Sequence, residues 1–170
     1  MSDSKQLVKR LREMTGAGIL DCKKYLIKAN NDINEAIKLF RSEAGVKADK
    51  KGSRIAAEGI VNFYQNDNSI LLLELNSETD FVAKDSHFIN LAESIARKLL
   101  DNNESDIAQE ISDDITSSIS KLGENIKLRR FLKIKKNNSV YGYSHNNKIA
   151  SLVELKKITK VLQKIYVCKL

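Results

Sequence analysis

The sequence predicts an α+β protein, in which a three-helix N-terminal module precedes an antiparallel β-sheet core with inserted helices. Apolar residues over 4–44 recur at the three- and four-residue spacing of short helices, whereas those after residue 58 fall into short runs typical of strands. The segment between the two patterns, "VKADKKGSR" at 46–54, is basic and poor in apolar residues. We therefore expect a helical module over 1–45, a basic linker or short helix over 46–57, and an α+β core over 58–170.

Each of the three predicted helices has one apolar stripe, and turn-forming residues separate the helices. "TGAG" at 15–18 ends the first helix, because its two glycines permit a tight turn. "NND" at 30–32 ends the second helix and provides a cap for the third, which runs out at Gly45. The stripes consist of Leu7, Val8, Leu11 and Met14, then Ile19, Cys22, Leu26 and Ala29, then Ile33, Ala36, Ile37 and Phe40.

The predicted core alternates strands with helices. The first two strands are separated by "QNDN", which favours a hairpin turn, and two helices follow over 86–100 and 107–119. Three more strands complete the predicted sheet, and the "NN" pairs at 137–138 and 146–147 suit two-residue hairpins. "ITKVLQKIYVCKL" closes the chain as a predicted amphipathic helix. The strands are expected at 59–64, 69–75, 125–136, 139–145 and 148–156.

Composition is typical of a globular protein. The 170 residues are 42% hydrophobic and 30% charged, and the longest aliphatic run, Ile70–Leu73, is too short to cross a bilayer. The N-terminus lacks the apolar segment of a signal peptide, so we expect a cytoplasmic protein without membrane association. In that reducing compartment Cys22, on a core stripe, and Cys168, at an exposed terminus, are expected to be free thiols.

Charge is distributed unevenly along the chain. Residues 1–57 carry 13 Lys and Arg against 7 Asp and Glu, residues 58–125 carry 4 against 14, and residues 126–170 carry 12 against 1. A nucleic-acid-binding protein would need the two basic parts to form one continuous face. Alternatively, basic and acidic parts face each other or a partner and orient its association. Both interpretations stay open at this point.

Residues suited to catalysis form no recognisable constellation in the sequence. The two histidines, His87 and His145, lack metal-ligand spacing, and the sequence has no nucleophile elbow or phosphate-binding glycine loop. Asp85, two residues before His87, is typical of a helix start. The sequence therefore predicts a binding protein rather than an enzyme, with no cofactor.

The stretch "SETDFV" at 77–82 has two interpretations. In the first interpretation, Thr79 or Asp80 caps the following helix. Phe81 then folds back onto the core as a hydrophobic staple. In the second, Phe81 stands exposed on a rigid support as an anchor for a pocket in another protein.

Three motifs in order resemble bacterial translation elongation factor Ts. They are "LVKRLREMTGAGILDCKKYLIKANNDINEAIKLFRSEAGVKADKK", "LELNSETDFVAKDSHFINLA" and "KLGENIKLRRF", and the resemblance covers residues 5 to about 157. It implies a ubiquitin-associated-like N-terminal module and an antiparallel core. It also implies guanine-nucleotide exchange on elongation factor Tu, in which GDP is released when the magnesium and phosphate site is disturbed.

The resemblance also implies which residues contact elongation factor Tu. Asp80 and Phe81, flanked by Thr79 and Val82, would wedge into the GTPase near its magnesium and phosphate site. The other implied contacts are Lys9, Arg12, Ile19 and Leu20 in the N-terminal module, and Ile126 and His145 in the core.

The chain ends where longer members of that family continue. Those members have a second core half and a protruding helical hairpin, whereas this chain stops at Leu170 after one core half. We therefore expect a short form, with a homodimer as one arrangement. An open sheet edge and an apolar terminal helix would favour that homodimer.

Two rival functions follow from the residues themselves. The main rival is a basic RNA-binding protein of the translation apparatus, although we expect nucleic acid not to be the partner. Its phosphate-binding side chains would be Lys127, Arg129, Arg130, Lys133, Lys135 and Lys136. The other rival is a peptide-binding helical module, which would retain its binding within residues 1–52.

Overall fold

In the computed structural model, residues 2–155 and 162–169 are described, and they form six helices and six strands. The first three helices are α1 (Ser2–Thr15), α2 (Ile19–Lys28) and α3 (Ile33–Lys51). Antiparallel strands and further helices follow, so the predicted α+β class is confirmed. The likeness of the three-helix module to a ubiquitin-associated fold stays a prediction.

Turn residues separate the three N-terminal helices as the sequence predicts. Gly16 adopts a φ of +66° between α1 and α2, a conformation that favours glycine. The Asp32 carboxylate caps α3 by accepting hydrogen bonds from the N–H groups of Asn34 and Glu35, at 2.8 and 3.1 Å. The apolar stripes then meet in a small core that includes Leu11, Cys22, Tyr25, Leu26 and Phe40.

The third helix is longer than predicted, because it continues through Gly45 to Lys51. A glycine inside a helix costs about 1 kcal/mol relative to alanine. Packing offsets that cost, since Ala44 is buried and Ala48 packs against the core of the sheet domain. The first part of the predicted linker is therefore helical, while the division at 1–45, 46–57 and 58–170 stays a prediction.

The first sheet has three antiparallel strands, in chain order across the sheet. They are β1 (Glu58–Gln65), β2 (Ser69–Ser77) and β3 (Lys127–Lys135). Between β2 and β3 the chain forms α4 (Asp80–Ala83), α5 (Ser86–Asp101) and α6 (Glu104–Leu122). The two predicted inserted helices are confirmed as α5 and α6. The single turn α4, over the sequence "DFVA", is additional.

The last three strands form a second sheet, so the prediction of a single sheet was wrong. They are β4 (Ser139–His145), β5 (Ile149–Leu155) and β6 (Leu162–Lys169), antiparallel in that order. The predicted hairpin at 137–138 is wrong, because β3 pairs with β2 while β4 pairs with β5. The predicted turn after β4 is confirmed, and both Asn146 and Asn147 have positive φ there. It spans 146–148 rather than two residues.

The predicted C-terminal helix is wrong for residues 162–169, which form β6; residues 158–161 and 170 lie outside the described part of the chain. Val167, Cys168 and Lys169 alternate between exposed and buried, which is the two-residue period of a strand. A short apolar run does not distinguish a strand from a helix by itself. Pairing with β5 decides the conformation here.

Cys168 is buried, with 4% of its surface exposed, so its predicted place at an exposed terminus was wrong. Its thiol donates a hydrogen bond to Glu74 Oε2 at 3.3 Å. Burial, and then the hydrogen bond to Glu74, raise the pKa of the Cys168 thiol. Cys22 and Cys168 are both free and buried in the structure.

Strand β2 is the centre of three layers, because both of its faces are buried. Leu71 and Leu73 face α5 and α6 in the largest core cluster. Ile70 and Leu72 face the second sheet, in a cluster completed by residues of β5 and β6. A strand buried on both sides has a nearly continuous apolar sequence, which explains "SILLLEL". The layers place the end of β2, and the loop after it, at one edge of the molecule.

Candidate functional site

One aromatic side chain projects from the turn that follows β2. β2 ends at Ser77, and Thr79 caps α4 by accepting the Val82 N–H at 3.4 Å on its hydroxyl oxygen. Phe81, the second residue of α4, is 82% exposed. The predicted cap is therefore confirmed, whereas the interpretation of Phe81 as a hydrophobic staple on the core was wrong.

The side of α4 opposite Phe81 is packed. Ala83 is buried, and Val82 packs against the largest core cluster. Phe81 therefore projects from a turn that is fixed on its inner side. This arrangement keeps the entropic cost of docking an exposed side chain low.

A carboxylate from a distant part of the chain holds the loop in front of α4. Glu124 Oε2 accepts hydrogen bonds from the backbone N–H groups of Glu78 and Thr79, at 3.1 and 3.0 Å. Its other oxygen, Oε1, accepts the Thr79 hydroxyl at 2.6 Å. In return, Glu78 Oε1 accepts the backbone N–H of Asn125 at 2.7 Å. We call this reciprocal set of four hydrogen bonds the Glu124 clasp.

The other side of the clasp is attached to the end of α3. Lys51 Nζ donates to the carbonyl of Gly123 at 2.6 Å, and Asn125 Nδ2 donates to the carbonyl of Arg54 at 2.7 Å. The Arg54 guanidinium also lies 3.5 Å from Glu78 Oε1. The segment 123–125 therefore joins the end of the N-terminal helices to the loop that carries Phe81.

Sequence reasoning missed Glu124 and Asn125. The one local signal was "GEN" immediately after a predicted helix, where Gly123 ends α6 with a φ of +83°. Thr79 and Glu124 are 45 positions apart in the chain, so no periodic pattern in the sequence indicates their hydrogen bond.

Asp80 lies beside Phe81 and is ionised. Its Oδ2 is 2.8 Å from Lys84 Nζ, one helical turn along the chain. The hydrogen bond from Lys84, together with the charge on that lysine, lowers the pKa of Asp80. The pair is partly exposed, so the Asp80 carboxylate remains accessible to another cation or to a polar group of a partner.

A small cleft brings α4 next to the turn that follows His145. Its volume is about 200 Å³, and its lining includes Gly59, Asp80, Lys84, Asn146 and Lys148. The turn is fixed on β1, because the Val61 N–H donates to the carbonyl of Asn147 at 2.7 Å. His145 is exposed at the end of β4, immediately before this turn. The structure therefore brings Asp80 and the turn beside His145, two of the predicted contact regions, to one edge.

The contact residues predicted in the N-terminal module are exposed. Leu20 is 83% exposed and Ile19 is also exposed at the start of α2, while Lys9 and Arg12 lie exposed on α1. Met14 is exposed as well, so the assignment of Met14 and Ile19 to the apolar stripes of their helices was wrong. These residues form an exposed surface with apolar and basic side chains on both sides of the α1–α2 turn.

The α1–α2 turn adjoins the elements next to α4. A Cβ built on Gly16 would lie 3.1 Å from Lys121 Nζ, at the end of α6. Lys121 Nζ in turn lies 3.1 Å from His87 Nδ1, at the start of α5. Asp85, which caps α5 through the His87 N–H, confirms the predicted helix start. The N-terminal module thus meets the core through α6, close to where α4 leads into α5.

Ile126 differs from the other predicted contacts, because it is buried, with 3% of its surface exposed. It follows the clasp directly and packs in the largest core cluster. In this conformation Ile126 can influence a contact surface only through its neighbours. Its predicted contact with a partner stays a prediction.

Most of the basic side chains considered for RNA binding are engaged within the protein. Arg130 Nε lies 2.6 Å from Glu74 Oε2, and Arg129 Nε lies 3.6 Å from Glu74 Oε1. Lys133 donates to the carbonyls at the end of α5, and Lys136 donates to the carbonyl of Asn66 at 2.6 Å. These contacts direct the charges toward the protein's own acceptors and so weigh against a phosphate-binding strand.

Within residues 2–155 and 162–169, His, Cys, Asp and Glu form no group of three or more that could hold a metal ion. In the same part of the chain, no helix combines the length and the apolar character needed to cross a membrane.

An exposed aromatic side chain on a rigid turn is suited to dock in a pocket of another protein. The site is typical of a protein that binds another protein, and the comparisons with known proteins agree with that class. The family model described as Elongation factor TS matches residues 78–167, which include Asp80, Phe81 and the Glu124 clasp. The chain belongs to the elongation factor Ts family.

The relatives cover most of this chain. Elongation factor Ts of Alkalilimnicola ehrlichii is 40% identical over 167 residues, which cover 91% of this chain and 57% of that protein. Elongation factor Ts of Xylella fastidiosa strain 9a5c is 40% identical over 166 residues, which cover 92% of this chain and 57% of that protein. Elongation factor Ts of Legionella pneumophila is 40% identical over 174 residues, which cover 95% of this chain and 59% of that protein. The chain therefore spans less than two thirds of the length of these relatives.

Proposed function

We propose that this protein binds elongation factor Tu and promotes the release of GDP from it, with Phe81 as the docking side chain. The observation that supports this most strongly is the 82% exposure of Phe81 on a turn held by the Glu124 clasp. Membership of the elongation factor Ts family supports the identity of the partner. The role is regulatory binding without covalent chemistry.

Docking on Phe81 supplies binding energy at little entropic cost. Transfer of a phenylalanine side chain from water into an apolar pocket stabilises a complex by about 1.5–3 kcal/mol. The turn that carries Phe81 is already fixed by the Thr79 cap and by the packing of Val82 and Ala83. Less of that energy is therefore spent on ordering the loop.

Asp80 acts on the site that holds the nucleotide. A GTPase binds GDP through backbone donors, a lysine and a magnesium ion on the phosphates. A carboxylate brought beside that site disturbs the water and side-chain ligands of the magnesium ion, without itself being a ligand. In the free protein Asp80 is paired with Lys84 at 2.8 Å, and this ion pair keeps it ionised.

The exchange follows from thermodynamic coupling. The factor must bind the nucleotide-free GTPase more tightly than the GDP-bound form, and bound GDP then weakens the factor by the same ratio. Each 1.4 kcal/mol of coupling corresponds to a tenfold loss of nucleotide affinity. A second contact at Ile19 and Leu20, with the positive charges of Lys9 and Arg12, would hold the factor in place during the exchange.

A homodimer remains part of the proposal as one assembly of the chain. One of its two expected supports, an apolar terminal helix, does not apply to residues 162–169, because they form β6. The other support is an open sheet edge. Among the described residues, β3, β4 and β6 are edge strands, which is compatible with strand pairing between copies, whereas the edge of β1 already donates a hydrogen bond to Asn147.

The test measures affinity for elongation factor Tu with and without GDP, by isothermal titration. We expect the nucleotide-free form to bind at least tenfold more tightly than the GDP-bound form. Phe81→Ala should weaken binding to the nucleotide-free form, whereas Tyr141→Ala, which removes an exposed aromatic from the second sheet, should not. Equal affinities for the two forms of the GTPase would overturn the proposal.

A further inference from the structure

The loop before α4 depends on one side chain for its shape. Glu78 and Thr79 present two consecutive backbone N–H groups, and both point to Glu124 Oε2 at 3.1 and 3.0 Å. The ionised form of an acceptor makes hydrogen bonds roughly twice as strong as a neutral one does. Glu124 is partly buried, so water competes less well for these donors than it does at an open surface.

The Thr79 hydroxyl transmits the position of Glu124 to α4. It donates to Glu124 Oε1 at 2.6 Å and accepts the Val82 N–H at 3.4 Å. Because the hydroxyl proton points to Glu124, a lone pair of the same oxygen is free to accept the Val82 N–H at the start of α4. Glu124, Thr79 and the N–H of Val82 thus form one chain of hydrogen bonds that reaches the turn carrying Phe81.

The helix α4 cannot hold this conformation by itself. It has four residues, and the first turn of a helix is costly to form without outside contacts. Phe81, at 82% exposure, has little packing of its own in the free protein. Its direction is therefore determined by the cap in front of it and by the buried side of the turn.

We propose that Glu124 is a positioning residue for Phe81: through Thr79 it holds α4 in the orientation that docks on the partner. This inference rests on the proposed exchange function for the meaning of docking, but the positioning itself is a property of the free protein. Hydrogen bonds to Lys51 and Arg54 also attach the clasp to the end of α3, which restricts its movement further.

The first test uses a fluorescent reporter at the docking position. The chain contains no tryptophan, so Phe81→Trp introduces a single tryptophan at an exposed site, and its emission can be excited selectively over that of the five tyrosines. Fluorescence anisotropy decay of the free protein then reports the local motion of α4. We expect Glu124→Ala to increase the amplitude of that motion, with little change in the far-ultraviolet circular dichroism of the chain.

Two further variants and a matched control identify the cause. Glu124→Gln keeps the reach of the side chain and one acceptor oxygen, so it should lie between wild type and Glu124→Ala. Glu124→Asp keeps the charge but is one methylene shorter, so it should resemble Glu124→Ala. Glu43→Ala removes a glutamate that accepts from Lys24, Tyr25 and Lys28 in the N-terminal module, and it should leave the reporter unchanged.

The second test is a double-mutant cycle on the release of fluorescent GDP from elongation factor Tu. Glu124→Ala should reduce the acceleration about tenfold, which corresponds to about 1.4 kcal/mol. In a Phe81→Ala background the same change should have almost no further effect, because Glu124 acts through Phe81. A general structural role would instead lower the residual acceleration again.

The two tests separate the inference from the proposed function. If wild type fails to accelerate GDP release, the exchange function is wrong, while the anisotropy still decides whether Glu124 positions the turn. An unchanged anisotropy in Glu124→Ala would overturn the inference. Equal effects of Glu124→Ala and Glu43→Ala on the reporter would overturn it too.

Discussion

Gly59 lies near the start of β1, beside the cleft that contains Asp80, and its side chain is excluded by the neighbouring strand. Its φ is +140°, which L residues rarely adopt. A Cβ built there overlaps the carbonyl oxygen of Leu75 and lies 2.7 Å from the Cα of Asn76. Both atoms are backbone, so relief requires β1 and β2 to move apart. Gly59→Ala should therefore destabilise the fold.

Two effects of Gly59→Ala lower the free energy of unfolding, and one raises it. An unfavourable φ costs about 1–3 kcal/mol, and overpacking in a well-packed region costs about 1–3 kcal/mol. The alanine restricts the unfolded chain and returns about 0.4–1 kcal/mol. We expect a net loss of roughly 1–5 kcal/mol in the free energy of unfolding. A chain of this size should then lose on the order of 2–20 °C in Tm, at about 2–4 °C per kcal/mol.

The assay is urea and thermal unfolding, with Gly45→Ala as the matched control. Gly45 lies inside α3, and a Cβ built on it meets nothing within 4 Å. Gly45→Ala should therefore raise the free energy of unfolding by about 0.5–1 kcal/mol. If Gly59→Ala is as stable as wild type, or if the two variants change stability in the same direction, the reasoning from the Cβ positions is refuted.

The remaining predictions concern titration and thiol chemistry. Hydrogen bonds from Lys28 and then Tyr25, together with nearby lysines, lower the pKa of Glu43 to about 2. A carboxyl with a lowered pKa in the folded state contributes stability above its unfolded pKa, so stability should fall as the pH drops from about 4.5 toward 2. Glu43→Gln should flatten that loss in urea unfolding measured between pH 2 and pH 6; an unchanged slope would contradict it. Burial raises the thiol pKa of Cys22 and Cys168, so both should react with a thiol reagent at pH 8 only at the rate of unfolding. Fast reaction of the native protein would show that one of them is accessible.

Most of the fold could be predicted from patterns of neighbouring residues in the sequence. The N-terminal helices, the first hairpin and the inserted helices follow from periodicity, glycine turns and capping residues such as Asp32. The extension of α3 past Gly45 could not be predicted that way. It depends on the packing of Ala44 and Ala48, which is a tertiary effect.

The two-sheet arrangement also depends on long-range contacts. β6 has an apolar run that suits a helix or a strand, and its pairing with β5 determines the outcome. The burial of Cys168 follows from that pairing, since its strand covers β2 from the side opposite the helices. Position near the end of the chain was a poor guide to exposure.

The candidate site was predicted in part. The cap at Thr79 could be expected from the polar residues that precede Phe81. The sequence left Phe81 either folded onto the core or exposed, and the structure shows it exposed. The Glu124 clasp could not, because it joins positions that are far apart in the chain and have no shared periodicity. Nor does the sequence show that Ile126 is covered by the core while His145 is open.

The most direct test of the central claim is the release of fluorescent GDP from elongation factor Tu. The rate is measured without this protein, with wild type, with Phe81→Ala and with the control Tyr141→Ala. The account predicts strong acceleration by wild type and by Tyr141→Ala, and loss of most of it in Phe81→Ala. Acceleration that survives in Phe81→Ala, or a folded wild-type protein that gives no acceleration, would contradict it.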